Sequence, residues 1–233
     1  MAMFTVKAAA GIAGPVAFTG AWLASSVLQT GYSPADLQIS GLAAPDARDP
    51  WIMITGFLVL GGCTVAFGAA LREALARQQG RGRGKTPAPQ MNDASAETPA
   101  ARALPAGLAP RLIQGAGVLT IAAGLLRRDH MLLVPGAVSW HNHAHDLVSA
   151  VLYVDLVLAQ LLLARRFGRE PSWRRWRPWL LASATATAAV LVAFAADTSA
   201  PGAGVLQRIA VSIPLAAVAA VAAQLLRIPA TAG

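Results

Sequence analysis

Charge is scarce in this sequence. Charged residues are 13% of 233 and hydrophobic ones 55%. That charged share is about half what a soluble domain carries, so the balance suits a bilayer rather than water. Cysteine is nearly missing: Cys63 stands alone, which excludes an intrachain disulfide and leaves it as a small packing residue. Lysine is outnumbered by arginine 2 to 17 and alanine is abundant, as in a high-GC bacterial genome. No complete metal motif such as HExxH is present, and the halves of the chain show no internal repeat. The net charge of +8 would favour nucleic acid in a soluble chain. Here the arginines lie between apolar runs, so they set membrane topology and no nucleic-acid partner is expected.

Long apolar runs fill the rest. A helix needs about 20 mostly apolar residues to cross a hydrocarbon core of ~30 Å. Six segments qualify, at roughly 8–29, 51–71, 108–126, 144–164, 178–196 and 208–227. The expected fold is an all-α, integral membrane bundle of six helices. The first run ends near Ala24-Ser25-Ser26 and follows a single lysine, as a secretory signal would. It is longer than a signal core of about 7–15 residues, so it is expected to stay as the first span.

Arginine placement orients the bundle, because cytoplasmic loops collect Lys and Arg near span ends. The loop after span two carries Arg72, Arg77, Arg81, Arg83, Lys85, Arg102 and Arg111; the loop after span four carries Arg165, Arg166, Arg169, Arg174, Arg175 and Arg177. The loop after span one instead has Asp36, Asp46 and Asp49 against Arg48. Arg127 and Arg128 go against the rule, partly offset by Asp129. Both termini are therefore expected in the cytoplasm of a bacterial cell, with the protein in its inner membrane.

Residues 78–107 lack apolar periodicity and are rich in Gly, Pro, Ala and polar side chains. Such a stretch buries too little to offset its ordering entropy, so it reads as a disordered cytoplasmic linker. It divides the chain into 1–77, with spans one and two and an outer loop, and 108–233, with spans three to six. Trp173, Trp176 and Trp179 read as an interfacial aromatic cluster.

Three places could carry chemistry. The run Trp140-His141-Asn142-His143-Ala144-His145-Asp146 sits at the outer end of span four. Helical spacing puts His141, His145 and Ser149 on one face. Two imidazoles one turn apart can form half of a zinc or iron site, completed by His130, Asp129, Asp36 or Asp146. They can equally serve hydrogen bonding, proton transfer or a polar helix start. Asp155 lies mid-span, where an ionised carboxylate costs at least about 2.5–3.5 kcal/mol and such residues often mark function. It is about 40° round the helix from His141 and ~21 Å deeper, too far to share a metal. It could act as an acid, or bond across helices to Thr64, Thr185, Thr187 or Gln224. Finally, the first outer loop, from Gly31 to Ala44, is too apolar for a solvated loop. It is expected to fold back over the bundle mouth with Tyr32 and Ser40 inward. Arg208 opens span six on the same face, where it suits an anionic group, either Asp36, Asp146 or a ligand headgroup.

These segments resemble a family of bacterial six-span membrane proteins, domain of unknown function 998. The resemblance rests on Gly14-Pro15, on Gly31-Tyr32-Ser33-Pro34 followed by Ile39-Ser40-Gly41-Leu42, and on a histidine opening span four, matched by His145. Arg165-Arg166-Phe167 and Gly202…Gln207-Arg208 complete it. It implies a six-span fold and no activity. Members of that family usually have a shorter cytoplasmic linker and a single histidine, so neither the His141-Asn142-His143-Ala144-His145 cluster as a whole nor Asp155 follows from the resemblance.

The functional expectation is a membrane protein, in contact with membrane lipids, that binds a lipid-like or apolar small molecule in a polar pocket open to the outer face. Tyr32, Ser40 and Arg208 are its ligand-binding candidates. The alternative is an intramembrane enzyme. It would use Asp155, His145 and Asp146 as acid and base on an isoprenoid-like substrate, or a divalent metal on His141 and His145 for hydrolysis. A structural subunit is the third possibility. Oligomeric state is not readable from these residues.

Overall fold

The computed structural model describes residues 1–83, 107–132 and 138–227. Among them are six helices long and apolar enough to cross a membrane: α1 (Ala2–Leu28), α2 (Pro50–Arg83), α3 (Leu108–Leu125), α4 (Trp140–Phe167), α5 (Trp176–Ala196) and α6 (Ala203–Arg227). Except for α3, the helices begin before the apolar runs because hydropathy marks only the part that meets hydrocarbon. α4 thus begins at Trp140, so the whole histidine cluster is helical, and α2 continues to Arg83. The remainder of the expected linker, 84–106, lies outside the described residues.

Local chemistry explains the ends. Pro50 occupies the first position of α2, where its missing N–H costs nothing. Ser139 caps α4 by accepting the Asn142 N–H at 3.3 Å. Gly31 and Gly202, at φ 74° and 87°, make the left-handed turns that follow α1 and precede α6.

Neighbours in sequence are neighbours in space, and α6 closes back onto α1, giving a ring of six helices. α1 begins, and α6 ends, at the same end of the bundle: a side chain on Gly11 would strike both Phe67 and Ala222. Without a hydrophobic force between helices in lipid, close contact rests on small residues. At the α2–α3 crossing a Cβ on Gly61 would lie 2.5 Å from the Gly117 carbonyl oxygen, and one on Gly117 2.6 Å from that of Gly61. Large apolar side chains such as Val16, Val118, Val154, Leu158 and Val192 point outward, as a lipid-facing surface requires. α5 is the least enclosed helix, burying only Leu180, Ala184 and Thr187.

A 3-10 turn, Ile39–Ala43, lies across one end of the ring with all five residues buried. We call it the cap. Leu42 of the cap packs with Phe18, Tyr32, Met53 and Phe57 in one core. A second core at the opposite, basic end contains Phe67, Leu71, Leu163, Phe167, Trp173 and Leu225. Trp173 is wholly buried and stacked on Phe167 at 4.4 Å, so it belongs to that core and not to an interfacial cluster. Trp179 is the exposed member of the three.

Candidate functional site

A cavity of about 70 Å³ lies in the axis of the ring, directly under the cap. That is room for a few water molecules or a short hydrocarbon segment. Its walls are mostly apolar, from Phe18, Phe57, Leu60, Leu152, Leu156, Val211 and Leu215, with polar groups from Ser40, Thr64, Thr120, His145, Ser149, Tyr153 and Gln207. α5 takes no part. A smaller void of about 20 Å³ continues toward the basic end, sharing Leu156 and Val218.

Most of these polar groups are already used. The hydroxyls of Thr64 and Thr120 donate to carbonyls one turn back, at 2.7 and 2.8 Å. Gln207 Oε1 accepts the Ile39 N–H at 2.6 Å and so ties the cap to α6. His145 Nδ1 lies 2.9 Å from the Ala123 carbonyl and 2.7 Å from that of Leu126. Both neighbours only accept, so Nδ1 carries the hydrogen, and a neutral ring turns the lone pair of Nε2 toward Ser149, at 3.4 Å. The hydroxyls of Ser40 and Tyr153 have no partner among the described residues. The cavity therefore offers two hydroxyls without partners, beside the His145–Ser149 pair, in a mostly apolar shell.

The cap is held by a clamp between the first loop and the start of α6. Gly202 N–H donates to Asp36 Oδ1 at 2.9 Å, and Val205 N–H to the Ala35 carbonyl at 2.9 Å. Arg208 donates to the carbonyls of Leu37 and Gly204, both at 2.9 Å, and to the Tyr32 hydroxyl at 2.5 Å. Its guanidinium stands 5.2 Å over the Trp22 ring. A Cβ on Gly204 would meet the Leu37 and Pro34 carbonyl oxygens at 2.6 and 2.7 Å, so only glycine lets the loop lie this close. Burial pushes the Tyr32 phenol up, and the Arg208 charge draws it partly back. The Ser33 hydroxyl and the Gly202 N–H hold the Asp36 carboxyl below its usual range.

The expected site residues thus fall into separate places. Ser40 and His145 meet in the cavity; Tyr32 and Arg208 meet in the clamp above it. Arg208 has no carboxylate at ion-pair distance among the described residues: Asp36 is taken by Ser33 and Gly202, and Asp146 by Asn142. Asp155 is buried but does not line the cavity. Its carboxylate would lie 3.1 Å from a Cβ on Gly115, between α3 and α4, with no hydrogen-bond partner among the described residues. Thr64 bonds its own helix, Gln224 accepts from Arg175, and Thr185 is exposed, so none of these holds it. Asp146 is exposed.

The histidine cluster mostly builds the start of α4. His141 is exposed and stacked on Trp140 at 3.7 Å. His130 pairs with Asp46 at 3.2 Å, and Asp129 accepts from Ser139 N–H and Oγ at 2.7 and 2.5 Å. Those two bonds hold the Asp129 carboxyl low. Among the described residues no three His, Cys, Asp or Glu side chains gather as a metal would need. The donor set sketched for zinc or iron is therefore not assembled there.

Tyr153 is the residue that sequence reasoning passed over. It shares the cavity face of α4 with His145, Ser149 and Leu152, eight residues from His145 and so about 12 Å deeper. A mid-span tyrosine needing a partner for its hydroxyl was the available signal.

A closed ring of six apolar helices with a capped internal cavity defines an integral, multi-pass membrane protein. Its cap and clamp are built from Gly31-Tyr32-Ser33-Pro34, Ile39-Ser40-Gly41-Leu42 and Gly202…Gln207-Arg208, which touch one another in space. The chain belongs to the family described as protein of unknown function (DUF998), which matches residues 12–89 and 94–224. No curated protein and no solved structure matches it.

Proposed function

We propose that the protein binds a lipid-like or apolar small molecule with one end in the cavity under the cap. The observation that carries this reading is the pair of hydroxyls, Ser40 and Tyr153, with no partner among the described residues in a mostly apolar cavity wall. A ligand carrying a hydroxyl or carbonyl could bond to both, and such a hydrogen bond in an apolar setting contributes about 0.5–1.5 kcal/mol net. Arg208 adds an uncompensated positive charge beside the cap, favouring an anionic or dipolar headgroup. In this reading the cap end faces outward and both termini face the cytoplasm of a bacterial inner membrane, as the arginine distribution supports.

Native mass spectrometry of the detergent-purified protein tests it. Wild type is expected to carry a small organic molecule, lost from Tyr153→Phe/Ser40→Ala and from Ala116→Leu, which fills the cavity. Bare wild-type protein, or equal retention by all three forms, overturns the reading.

An enzyme remains the second reading, favoured by one observation: with Nδ1 held as the donor, Nε2 of His145 faces the hydroxyl of Ser149, another cavity-lining residue, as a base would. Asp155 and Asp146 would not share its active site. Turnover of the retained molecule by wild type, abolished in His145→Gln, would establish it.

A further inference from the structure

The opposite end of the bundle carries a groove that the cap cavity does not explain. It measures about 320 Å³ and lies between the C-terminal end of α4 and the start of α5. Three arginines line it, Arg165, Arg169 and Arg177, over Leu161 and Leu181. All five are exposed. None of the three guanidinium groups has a hydrogen-bond, ion-pair or ring partner among the described residues. Glu170, the single acid in the connection from α4 to α5, is not part of the lining.

We infer that this groove binds the phosphate headgroup of an anionic phospholipid from the surrounding leaflet. Three unpaired guanidiniums converge where helices leave the membrane, and each can grip phosphate oxygens with two parallel N–H bonds. Basic pockets between membrane helices recognise anionic headgroups on this physical basis. The two leucines lie on the lipid-facing side of α4 and α5, so an acyl chain continues down the helices where a free phosphate would have nothing to touch. Gly168 shapes the groove: a Cβ there would lie 2.9 Å from Cδ of Arg177, so glycine lets that side chain fold over the end of α4. α5 also begins at Trp176, turning its positive helix end toward the same place.

The site is tested with the full chain in nanodiscs of equal parts phosphatidylglycerol and phosphatidylethanolamine, released into native mass spectrometry. Wild type is expected to retain phosphatidylglycerol at least fivefold over phosphatidylethanolamine. The triple variant Arg165→Gln/Arg169→Gln/Arg177→Gln should lose that preference. A control triple, Arg72→Gln/Arg111→Gln/Arg174→Gln, removes the same charge from the same end and should keep it. Gly168→Ala changes no charge, leaves insertion alone, and should lower retention about twofold to threefold. Equal retention of the two lipids by wild type, or equal loss in both triples, overturns the inference, the latter by reducing it to bulk charge. Inorganic phosphate binding to lipid-free protein as tightly as the lipid overturns it in favour of a soluble anion.

Discussion

Asp36 shows how one exposed carboxylate can govern the cap. It accepts from Ser33 Oγ at 2.6 Å and from Gly202 N–H at 2.9 Å, joining the first loop to the turn that opens α6. These bonds favour the charged form and lower its folded pKa; Ser139 does the same for Asp129 at the start of α4. A carboxylate depressed on folding contributes stability that is complete above its unfolded pKa and is lost as pH falls through the folded value. The unfolded value is near 3.8 for both, so the loss begins only when pH drops to that region and completes below it. Thermal unfolding in detergent is therefore expected to hold level near neutrality and fall in that acid window. Asp36→Asn should unfold earlier at pH 7 and show a shallower acid fall. The two carboxylates share no partner, so adding Asp129→Asn should flatten it further. An acid limb unchanged in the double variant would assign the loss to other groups.

Among elements, the α2–α3 crossing is the tightest contact, because Gly61 and Gly117 each place a carbonyl where the other's side chain would go. Gly117→Val must push backbones apart, and overpacking of this kind costs about 1–3 kcal/mol. Gly62 is the built-in comparison: a Cβ there meets nothing within 4 Å, so Gly62→Ala should be near neutral. Melting temperatures of the two variants in one detergent check this, and a Gly62→Ala loss as large as that of Gly117→Val would count against it. Much of this level is legible in the chain. Transfer free energy sums along a run, so all six spans read directly from composition, and the apolar loop 31–44 reads as a cap because it has too few polar groups to face water. The faces of α4 are harder. Tyr153 and Asp155 are two residues apart, hence about 200° apart round the helix, and which of them meets a cavity depends on where α3 and α6 pack. Charge draws notice to Asp155, yet Gly115 faces it while Tyr153 faces the void. Arg208 is a similar case: besides the Gly204 carbonyl one turn back, its partners are the Leu37 carbonyl and the Tyr32 phenol from the first loop, which no local spacing reveals.

At the scale of the whole molecule, the ring gives the protein two unlike ends. One is sealed by a buried cap over a cavity; the other gathers the ends of α2, α4 and α6 with their arginines and the anion groove. The two ends cannot exchange roles, since cavity and cap depend on the start of α4 and α6 and the groove on the end of α4. Arginine bias near the span ends favours the groove end in the cytoplasm, which would put the proposed headgroup site in the inner leaflet and the cap outside. Substituted cysteines resolve the two orientations in a Cys63→Ser background, because no other cysteine is present. Ala35→Cys marks the exposed surface of the clamp, and Ser172→Cys marks the α4–α5 connection. In intact bacterial cells a membrane-impermeant maleimide is expected to label Ala35→Cys, and to label Ser172→Cys only after the membrane is opened. The reverse pattern would invert the protein and move the capped cavity to the cytoplasmic side, so that its ligand would come from inside the cell.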